Sequence, residues 1–144
     1  MNAATALEQK IRRAIPLSVA MQFSIRELSL DAIRVAAPLE PNINIHGTGF
    51  AGSIYSLGVL TGWALCAHIM QELGVEAELV VARAEIRYRA PVNGELECSC
   101  ACSMAQRESF QKGIAEVGKG KLQLDIEIGS DRQAVLQATF IAVA

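Results

Sequence analysis

Two periodicities of apolar and polar residues divide the chain into predicted helices and strands. Leu7 and Ile11 recur at helical spacing, and Thr5 to Glu8 has the form of a capping box, so a short helix is expected over residues 5–14. Six later segments alternate between apolar and polar residues, which is the pattern of half-buried strands. These strands are predicted at residues 17–26, 31–37, 80–89, 96–104, 121–128 and 134–142.

The most apolar part of the chain lies between the second and third predicted strands. Residues 38–49 are rich in Asn, Pro and Gly and are expected to form an irregular loop. Residues 50–72 are almost wholly apolar, and Gly74 follows at the position of a helix C-cap. One long helix is therefore predicted here, and a helix that is apolar on most sides must be buried. The weakly periodic residues 105–120 are predicted to be a ragged strand end and a loop.

A strongly curved antiparallel sheet wrapped around the long helix would bury it. This arrangement predicts an α+β chain with the hotdog fold, a short N-terminal helix and one domain over residues 1–144. A membrane-spanning helix is the alternative, because Phe50 to Met70 carries no formal charge and Gly58-x-x-x-Gly62 resembles a transmembrane dimer face. Strand-like sequence on both flanks favours a core helix, with the two glycines as close contact points.

Composition narrows the class of protein. Apolar residues make up 51% of the 144 residues, and the net charge of −2 without a basic block argues against a nucleic-acid binder. No signal peptide is recognised at the N-terminus, so a cytoplasmic location is expected. Cys98, Cys100 and Cys102 alternate and are expected to be buried with Cys66 as small apolar side chains. Their spacing is not that of a zinc site, and neither a metal nor a cofactor is predicted.

The residues most suited to binding or catalysis lie where the long helix begins. Glycines at positions 47, 49 and 52 would let a ligand oxygen approach the free backbone N–H groups of the first helical turn. Side-chain donors lie within the same few residues: Asn44, His46, Thr48 and Ser53. A thioester carbonyl that gains negative charge during reaction needs such donors. The alternative is that Asn and Gly only shape a tight loop and Thr48 caps the helix.

Two segments carry a family resemblance. Residues 37–63, which contain Asn42-Ile-Asn-Ile-His-Gly-Thr-Gly-Phe-Ala-Gly-Ser53, are similar to the signature of one branch of the hotdog thioesterase superfamily. Ile86-Arg-Tyr-Arg-Ala-Pro-Val92 resembles the third-strand motif of that superfamily, and the likeness runs from about Leu17 to the C-terminus. Members of this branch occur fused to an acetyltransferase domain or free-standing, and this chain contains no acetyltransferase sequence.

The resemblance implies a function, a ligand and an assembly. Branch members are usually described as thioesterases, and some are malonyl-acyl-carrier-protein decarboxylases that make the acetyl primer for fatty acid synthesis. The implied ligand is a thioester of acyl carrier protein or coenzyme A. The implied assembly is a homodimer or a higher homo-oligomer, with the acyl site formed where two protomers meet.

One departure from the superfamily pattern favours decarboxylation. Other hotdog thioesterases place an Asp or Glu inside the long helix, whereas the matching stretch here is Ser56-Leu-Gly-Val-Leu-Thr61, and no acidic residue lies between Glu40 and Glu72. Decarboxylation of a malonyl thioester needs no activated water; it needs a poorly solvated carboxylate and donors that stabilise the enolate. Asn44 and Thr48 are the predicted donors, and His46, Tyr55 or water would supply the proton.

Other interpretations stay open. His46 could activate water for hydrolysis, and a hotdog domain could instead be a non-catalytic acyl-thioester sensor. Arg87 and Arg89 would meet a phosphopantetheine phosphate or an acidic carrier protein, or else form a solvated strand face with Glu85. Tyr55 and Trp63 would line an acyl pocket or belong to the core. The residues predicted to bind the thioester are Gly47, Gly49, Phe50, Ala51, Gly52, Ser53, Arg87 and Arg89.

Overall fold

The computed structural model describes residues 1–144 and contains four α-helices, one short 3₁₀ turn and six strands. In chain order these are α1 (Ala3–Ala14), α2 (Pro16–Met21), β1 (Ser24–Leu28), β2 (Ala32–Ala37), the 3₁₀ turn (Glu40–Asn42), α3 (Ala51–Glu72), β3 (Glu78–Tyr88), β4 (Leu96–Ala101), α4 (Met104–Val117), β5 (Lys119–Ile128) and β6 (Ala134–Val143).

All six strands form one antiparallel sheet in the order β1-β2-β4-β5-β6-β3. Strands β5 and β6 pair along their whole length, from Lys119 opposite Val143 to Ile128 opposite Ala134. The chain enters β3 from α3, and β3 pairs only with β6, so it forms one edge of the sheet. Helix α3 packs against β2 to β6, which requires the sheet to curve around it. The predicted hotdog arrangement is confirmed.

The long helix α3 is the centre of the core. Leu57, Leu65 and Ile69 are fully buried, and the helix is enclosed by the sheet in the manner of a core helix rather than a membrane span. The two helix glycines are close contact points, as predicted. A Cβ atom on Gly62 would lie 2.5 Å from the Phe140 ring, so the sheet approaches the helix backbone at this point.

The end of α3 is a Schellman motif. Gly74 has a φ of +67°, the N–H of Val75 donates to the carbonyl of Met70 at 2.9 Å, and the N–H of Gly74 donates to that of Gln71 at 3.1 Å. The predicted role of Gly74 in ending the helix is therefore confirmed.

The N-terminal segment differs from the prediction in two places. Helix α1 begins at Ala3, and the Asn2 side chain accepts the Thr5 N–H at 2.8 Å, so the predicted cap at Thr5 was wrong. The strand predicted at residues 17–26 was wrong in its first half, because residues up to Met21 form α2 and only β1 is extended. Pro16 occupies the first turn of α2, and Gln22 ends it in a left-handed conformation.

Residues 105–120 were also predicted wrongly. Helix α4 covers most of them, and the strand predicted at 96–104 ends at Ala101. A capping box starts the helix, in which Ser103 and Gln106 each bind the other's backbone N–H. Of the helix side chains only Phe110 is buried, which explains why the hydrophobic pattern is weak. A Cβ atom on Gly120 would lie 2.5 Å from the Phe110 carbonyl oxygen, so β5 packs closely against α4.

A β-bulge changes the predicted faces of β3. The pairing with β6 shifts between Val81 and Arg83, and the extra residue reverses the alternation of side chains. Val80 was predicted to share a face with Ala84, but it is 51% exposed, and Leu79 packs against the core instead. The first half of β3 therefore presents apolar side chains outside the core.

Candidate active site

A buried asparagine holds the loop before α3 in place. Asn42 is almost fully buried, and its side-chain amide donates to the carbonyls of Met21 at 2.9 Å and Pro38 at 2.8 Å. Its own carbonyl accepts the Phe50 N–H at 2.8 Å. These three bonds tie the end of α2, the end of β2 and the start of α3 to one point. The loop is therefore a fixed part of the fold.

Asn44 organises the middle of this loop. Its Nδ2 donates to Thr48 Oγ1 at 2.8 Å and to the Gly49 carbonyl at 3.2 Å, while its Oδ1 accepts the N–H groups of His46 at 2.8 Å and Thr48 at 3.0 Å. Both N–H donors and both acceptor positions of the Asn44 amide are therefore hydrogen-bonded within the loop. Thr48 Oγ1 is an acceptor in this pair, which leaves the hydroxyl proton of Thr48 available to a ligand.

The loop and the end of β3 enclose a cleft of about 350 Å³. The N–H of Gly49 donates to the Val92 carbonyl at 2.8 Å, which joins the two walls. The lining residues include no carboxylate and one cation: Asn44, Thr48, Gly49, Ala51, Ile54, Tyr88, Arg89, Ala90, Pro91 and Val92. Ile54, Pro91 and Val92 make one side of the cleft apolar. The cleft therefore combines hydrogen-bond donors with one apolar wall.

The first turn of α3 contributes free backbone donors to this region. Phe50 is the N-cap residue and provides no side-chain cap, and Ile54 is the first residue whose N–H bonds within the helix, to the Phe50 carbonyl at 3.0 Å. The N–H groups of Ala51, Gly52 and Ser53 bond to no other part of the chain. The Phe50 ring lies over Gly52, where an added Cβ would be 2.5 Å from it. These free donors and the helix dipole favour negative charge here.

Tyr88 is a residue of this region that the sequence-based prediction missed. Its hydroxyl donates to the Ala51 carbonyl at 2.9 Å, so the end of β3 is bound to the first turn of α3. Partial burial, and then the nearby Tyr55, raise the pKa of Tyr88, so the phenol stays protonated at neutral pH. The available signal was its place inside the Ile86–Val92 segment. Tyr55 lies one helical turn after Ala51 and is 37% exposed.

The structure separates the remaining predicted residues into two groups. Arg89 lines the cleft, whereas Arg87 lies beside Glu85 in a shallow depression on the outer face of the sheet, which Arg89 also reaches. His46 is exposed at the loop tip and does not line the cleft. Gly47 has a φ of +81°, a left-handed conformation that glycine adopts readily, so its role is to allow the turn at the loop tip. The loop tip thus lies outside the cleft, while Asn44, Thr48 and Gly49 lie within it.

Comparison with known proteins places this arrangement among thioesterase-like structures. The model of the YiiD_C family, described as "Putative thioesterase (yiiD_Cterm)", matches residues 4–143. A structure described as the putative thioesterase from Shewanella oneidensis is 34% identical, with a TM-score of 0.87 over 98% of this chain and 97% of that one. A protein of unknown function from Chlorobaculum tepidum TLS is 25% identical, with a TM-score of 0.93 over 97% and 93%.

A third structure shares the fold at lower identity. A protein from Pseudomonas aeruginosa, described as a probable thioesterase, is 19% identical and superimposes with a TM-score of 0.83 over 99% of this chain and 97% of that one.

Proposed function

Because this chain belongs to the YiiD_C family, we propose that it binds an acyl thioester in the cleft at the start of α3 and decarboxylates a malonyl group to an acetyl group. The substrate in this proposal is malonyl-acyl carrier protein, and its product would prime fatty acid synthesis. One observation carries the choice of reaction: Thr48 and Ala51, which have a hydroxyl and an N–H without an acceptor in the chain, line a cleft that has no carboxylate in its lining.

The donors suit a thioester carbonyl that becomes an enolate. Thr48 donates its hydroxyl proton to the carbonyl oxygen, and its orientation is set by the bond that it accepts from Asn44. The free N–H groups of Ala51 to Ser53 add donors at the positive end of the α3 dipole. Asn44 has no unused donor and acts as a positioning residue, which refines the prediction that it contacts the enolate directly.

The absence of a carboxylate removes the usual base for hydrolysis. No Asp or Glu side chain lies on α3 before Glu72, its last residue, which is about 30 Å from the first turn along the helix axis. A malonyl thioester brings its own carboxylate, and a protein carboxylate beside it would repel it. The apolar wall of Ile54, Pro91 and Val92 instead receives the substrate carboxylate in poorly solvated surroundings.

The reaction steps balance without a co-reactant other than a proton. The bond between the carboxylate carbon and the α-carbon breaks, carbon dioxide leaves, and the electron pair delocalises into the thioester carbonyl. The resulting enolate oxygen is held by Thr48 and the helix N–H groups. A proton then adds to the α-carbon to give the acetyl thioester. Water, Tyr55 and His46 are the candidate donors, and Tyr55 lies on α3 one turn after Ala51.

The edge strand β3 supports a homodimer in this proposal. Its outer edge has eleven residues with no partner strand, and Val80, Val81 and Tyr88 are exposed along it. A long exposed apolar edge is a template for pairing with another chain. Pairing β3 with its copy would continue the sheet across the two protomers. Arg87 and Arg89 would then meet the phosphopantetheine phosphate or the acidic carrier protein.

Hydrolysis is the second candidate, because the family and the Shewanella oneidensis relative are both described as thioesterases. In that mechanism a water molecule, activated by His46 or ordered by the site, would attack the thioester carbonyl. Because His46 is exposed and lies outside the cleft, its position supports hydrolysis less well than the cleft supports decarboxylation. A sensor that binds acyl thioesters without turning them over is the third candidate.

One assay separates the three candidates. Purified protein is incubated with malonyl-acyl carrier protein and, separately, with malonyl-coenzyme A, while carbon dioxide, free thiol and acyl product are measured. Acetyl-acyl carrier protein serves as the control substrate without a carboxylate. We expect carbon dioxide and acetyl thioester in equal amounts and no free thiol. Free thiol as the main product would establish hydrolysis, and binding without either product would establish the sensor.

A further inference from the structure

Two hydrogen bonds join the opposite walls of the cleft, and one of them is made by a side chain. One wall consists of the loop and the first turn of α3, and the other, the β3 wall, consists of residues 88–92. The N–H of Gly49 donates to the Val92 carbonyl at 2.8 Å. The Tyr88 hydroxyl donates to the Ala51 carbonyl at 2.9 Å. Of the two bonds, only that of Tyr88 depends on the identity of a side chain.

The β3 wall is fixed to the rest of the sheet where it carries Tyr88. Tyr88 is the last residue of β3 and still pairs with β6. The backbone N–H groups of Arg89 and Ala90, which follow it, both donate to the Gln133 carbonyl, at 2.6 Å and 3.1 Å. The Tyr88 side chain therefore extends from a fixed backbone, and its bond to Ala51 holds the first turn of α3 at a set distance from the sheet.

The fold does not depend on this bond to satisfy a buried polar group. Tyr88 is 49% exposed, so water reaches its hydroxyl. Ala51 is the first residue of α3, so its carbonyl is also the helical acceptor of the Tyr55 N–H. A hydrogen bond between two groups that have other partners contributes little to the free energy of unfolding. What the bond does determine is the position of Ala51 relative to the β3 wall.

This position matters because Ala51 belongs to the donor side of the cleft. Thr48 and Ala51 have a hydroxyl and an N–H without an acceptor in the chain, and both residues line the cleft. A developing oxyanion is stabilised by donors about 2.7–3.1 Å from its oxygen. A displacement of about 1 Å can reduce the rate on the order of 10²-fold. The separation of the two walls therefore decides how well a substrate oxygen reaches these donors.

We propose that Tyr88 is a positioning residue for the reaction: through its bond to the Ala51 carbonyl it sets the separation between the donors at the start of α3 and the β3 wall. Tyr88 is not assigned the transfer of a proton to the substrate, because its hydroxyl proton is donated to Ala51. The proposal rests on the proposed position of the thioester but not on decarboxylation, since the oxyanion formed during hydrolysis needs the same donors.

Tyr88→Phe tests the proposal, because it keeps the ring and removes the hydroxyl. We expect kcat for malonyl-acyl carrier protein to fall about tenfold and KM to stay within about twofold of wild type, because alignment is lost rather than binding. Ser109→Ala removes an exposed hydroxyl on α4 and should keep both constants. Chemical denaturation should give similar free energies of unfolding for wild type and both variants. A wild-type kcat in Tyr88→Phe, or a raised KM with an unchanged kcat, would overturn the proposal.

A pH–rate profile separates hydrogen-bond donation by Tyr88 from packing of its ring. Site-specific replacement of Tyr88 by difluorotyrosine keeps the hydroxyl, but the fluorine atoms lower the pKa of the phenol. The ionised phenol cannot donate to Ala51. As the pH rises through this lowered pKa, kcat relative to wild type should therefore fall toward the value of Tyr88→Phe. The wild-type phenol stays protonated over this range, because partial burial raises the pKa of Tyr88. A constant ratio across the range would contradict the role of the hydroxyl as a donor.

The products distinguish failure of this proposal from failure of the proposed function. Carbon dioxide and free thiol are both followed for the wild type and for Tyr88→Phe. If the wild type releases free thiol instead of carbon dioxide, decarboxylation is rejected, and slower thiol release by Tyr88→Phe would still support the positioning role. Equal rates of carbon dioxide release by the two enzymes would reject the positioning role alone. Absence of both products from the wild type would reject both.

Discussion

The side-chain amide of Asn44 lies 2.8 Å from the hydroxyl oxygen of Thr48 and is the donor of that pair. The sequence predicts both residues as hydrogen-bond donors to the enolate. The direction of this bond gives them different roles. Asn44 has no donor left for a ligand, because its second N–H binds the Gly49 carbonyl. Thr48 keeps its hydroxyl proton. In the proposed mechanism Thr48 therefore contacts the enolate, and Asn44 orients Thr48.

Thr48→Ala should lower kcat for malonyl-acyl carrier protein by a factor on the order of 10², because one enolate donor is lost. Thr48→Ser restores the hydroxyl and should recover most of the rate. Thr5→Ala removes a threonine hydroxyl from the exposed surface of α1 and serves as the control. A Thr48→Ala enzyme with the wild-type rate would show that this hydroxyl does not contact the enolate.

Asn44→Asp should reduce kcat because an ionised carboxylate cannot donate to Thr48 Oγ1 or to the Gly49 carbonyl. Protonation of the new carboxyl at acidic pH restores one donor. The activity relative to wild type should therefore rise as the pH is lowered from about 7 to 5, toward the range in which carboxyls titrate. A purely structural defect would give a constant ratio across this range, so the pH–rate profile is the deciding measurement.

Gly62→Ala should lower the free energy of unfolding by about 1–3 kcal/mol, because the new methyl would overlap the Phe140 ring in the packed core. Chemical denaturation measures this difference. Gly94→Ala is the control, since a Cβ atom there meets no atom within 4 Å and its backbone is not left-handed. Equal stabilities of the two variants would contradict the close packing of α3 on β6.

The free energy of unfolding should fall at alkaline pH. Burial raises the pKa of the Cys98 thiol to about 12, whereas the thiol titrates near 8.5 in the unfolded chain. The contribution of the protonated Cys98 thiol to the free energy of unfolding is complete below about pH 8.5. It is lost as the pH rises toward the folded-state pKa, because the thiol of the unfolded chain releases its proton first. Cys98→Ala should make the decline shallower by up to about 1.4 kcal/mol per pH unit. An unchanged slope in this variant would show that Cys98 does not contribute.

Val80→Lys should weaken self-association, because it places a charge on the exposed apolar edge of β3. Sedimentation velocity across a concentration series measures the monomer fraction. Val117→Lys introduces the same charge at a position on α4 that is 76% exposed and should leave the oligomer unchanged. If both variants remain as associated as the wild type, β3 is not the interface.

The elements that the sequence predicted correctly depend on local patterns. The alternation in β5 and β6 extends over ten residues, and one face of each strand is buried in the core while the other is more exposed. Helix α3 has 22 residues and is apolar on most sides, so its side chains must be buried in the core. The donors before α3 could also be predicted from a local pattern, since Asn44, Thr48 and the first helical turn are close in sequence.

The errors occurred where contacts between distant residues outweigh local pattern. Leu17, Val19 and Met21 alternate like a strand, but six residues are too few to separate that period from a helical turn. Asn42 then binds the Met21 carbonyl across 21 residues and holds the end of α2 in place. Helix α4 buries only Phe110, and its packing depends on a glycine of β5.

The sequence by itself determined the central helix, most of the sheet and the set of donors before α3, because hydrophobic periodicity and helix-end chemistry act over a few residues. The tertiary structure alone decided how those donors are shared. It assigned both Asn44 donors to the loop and brought Tyr88 to the Ala51 carbonyl from 37 residues away. These outcomes depend on hydrogen-bond direction and on the packing of separate elements, which no local pattern encodes.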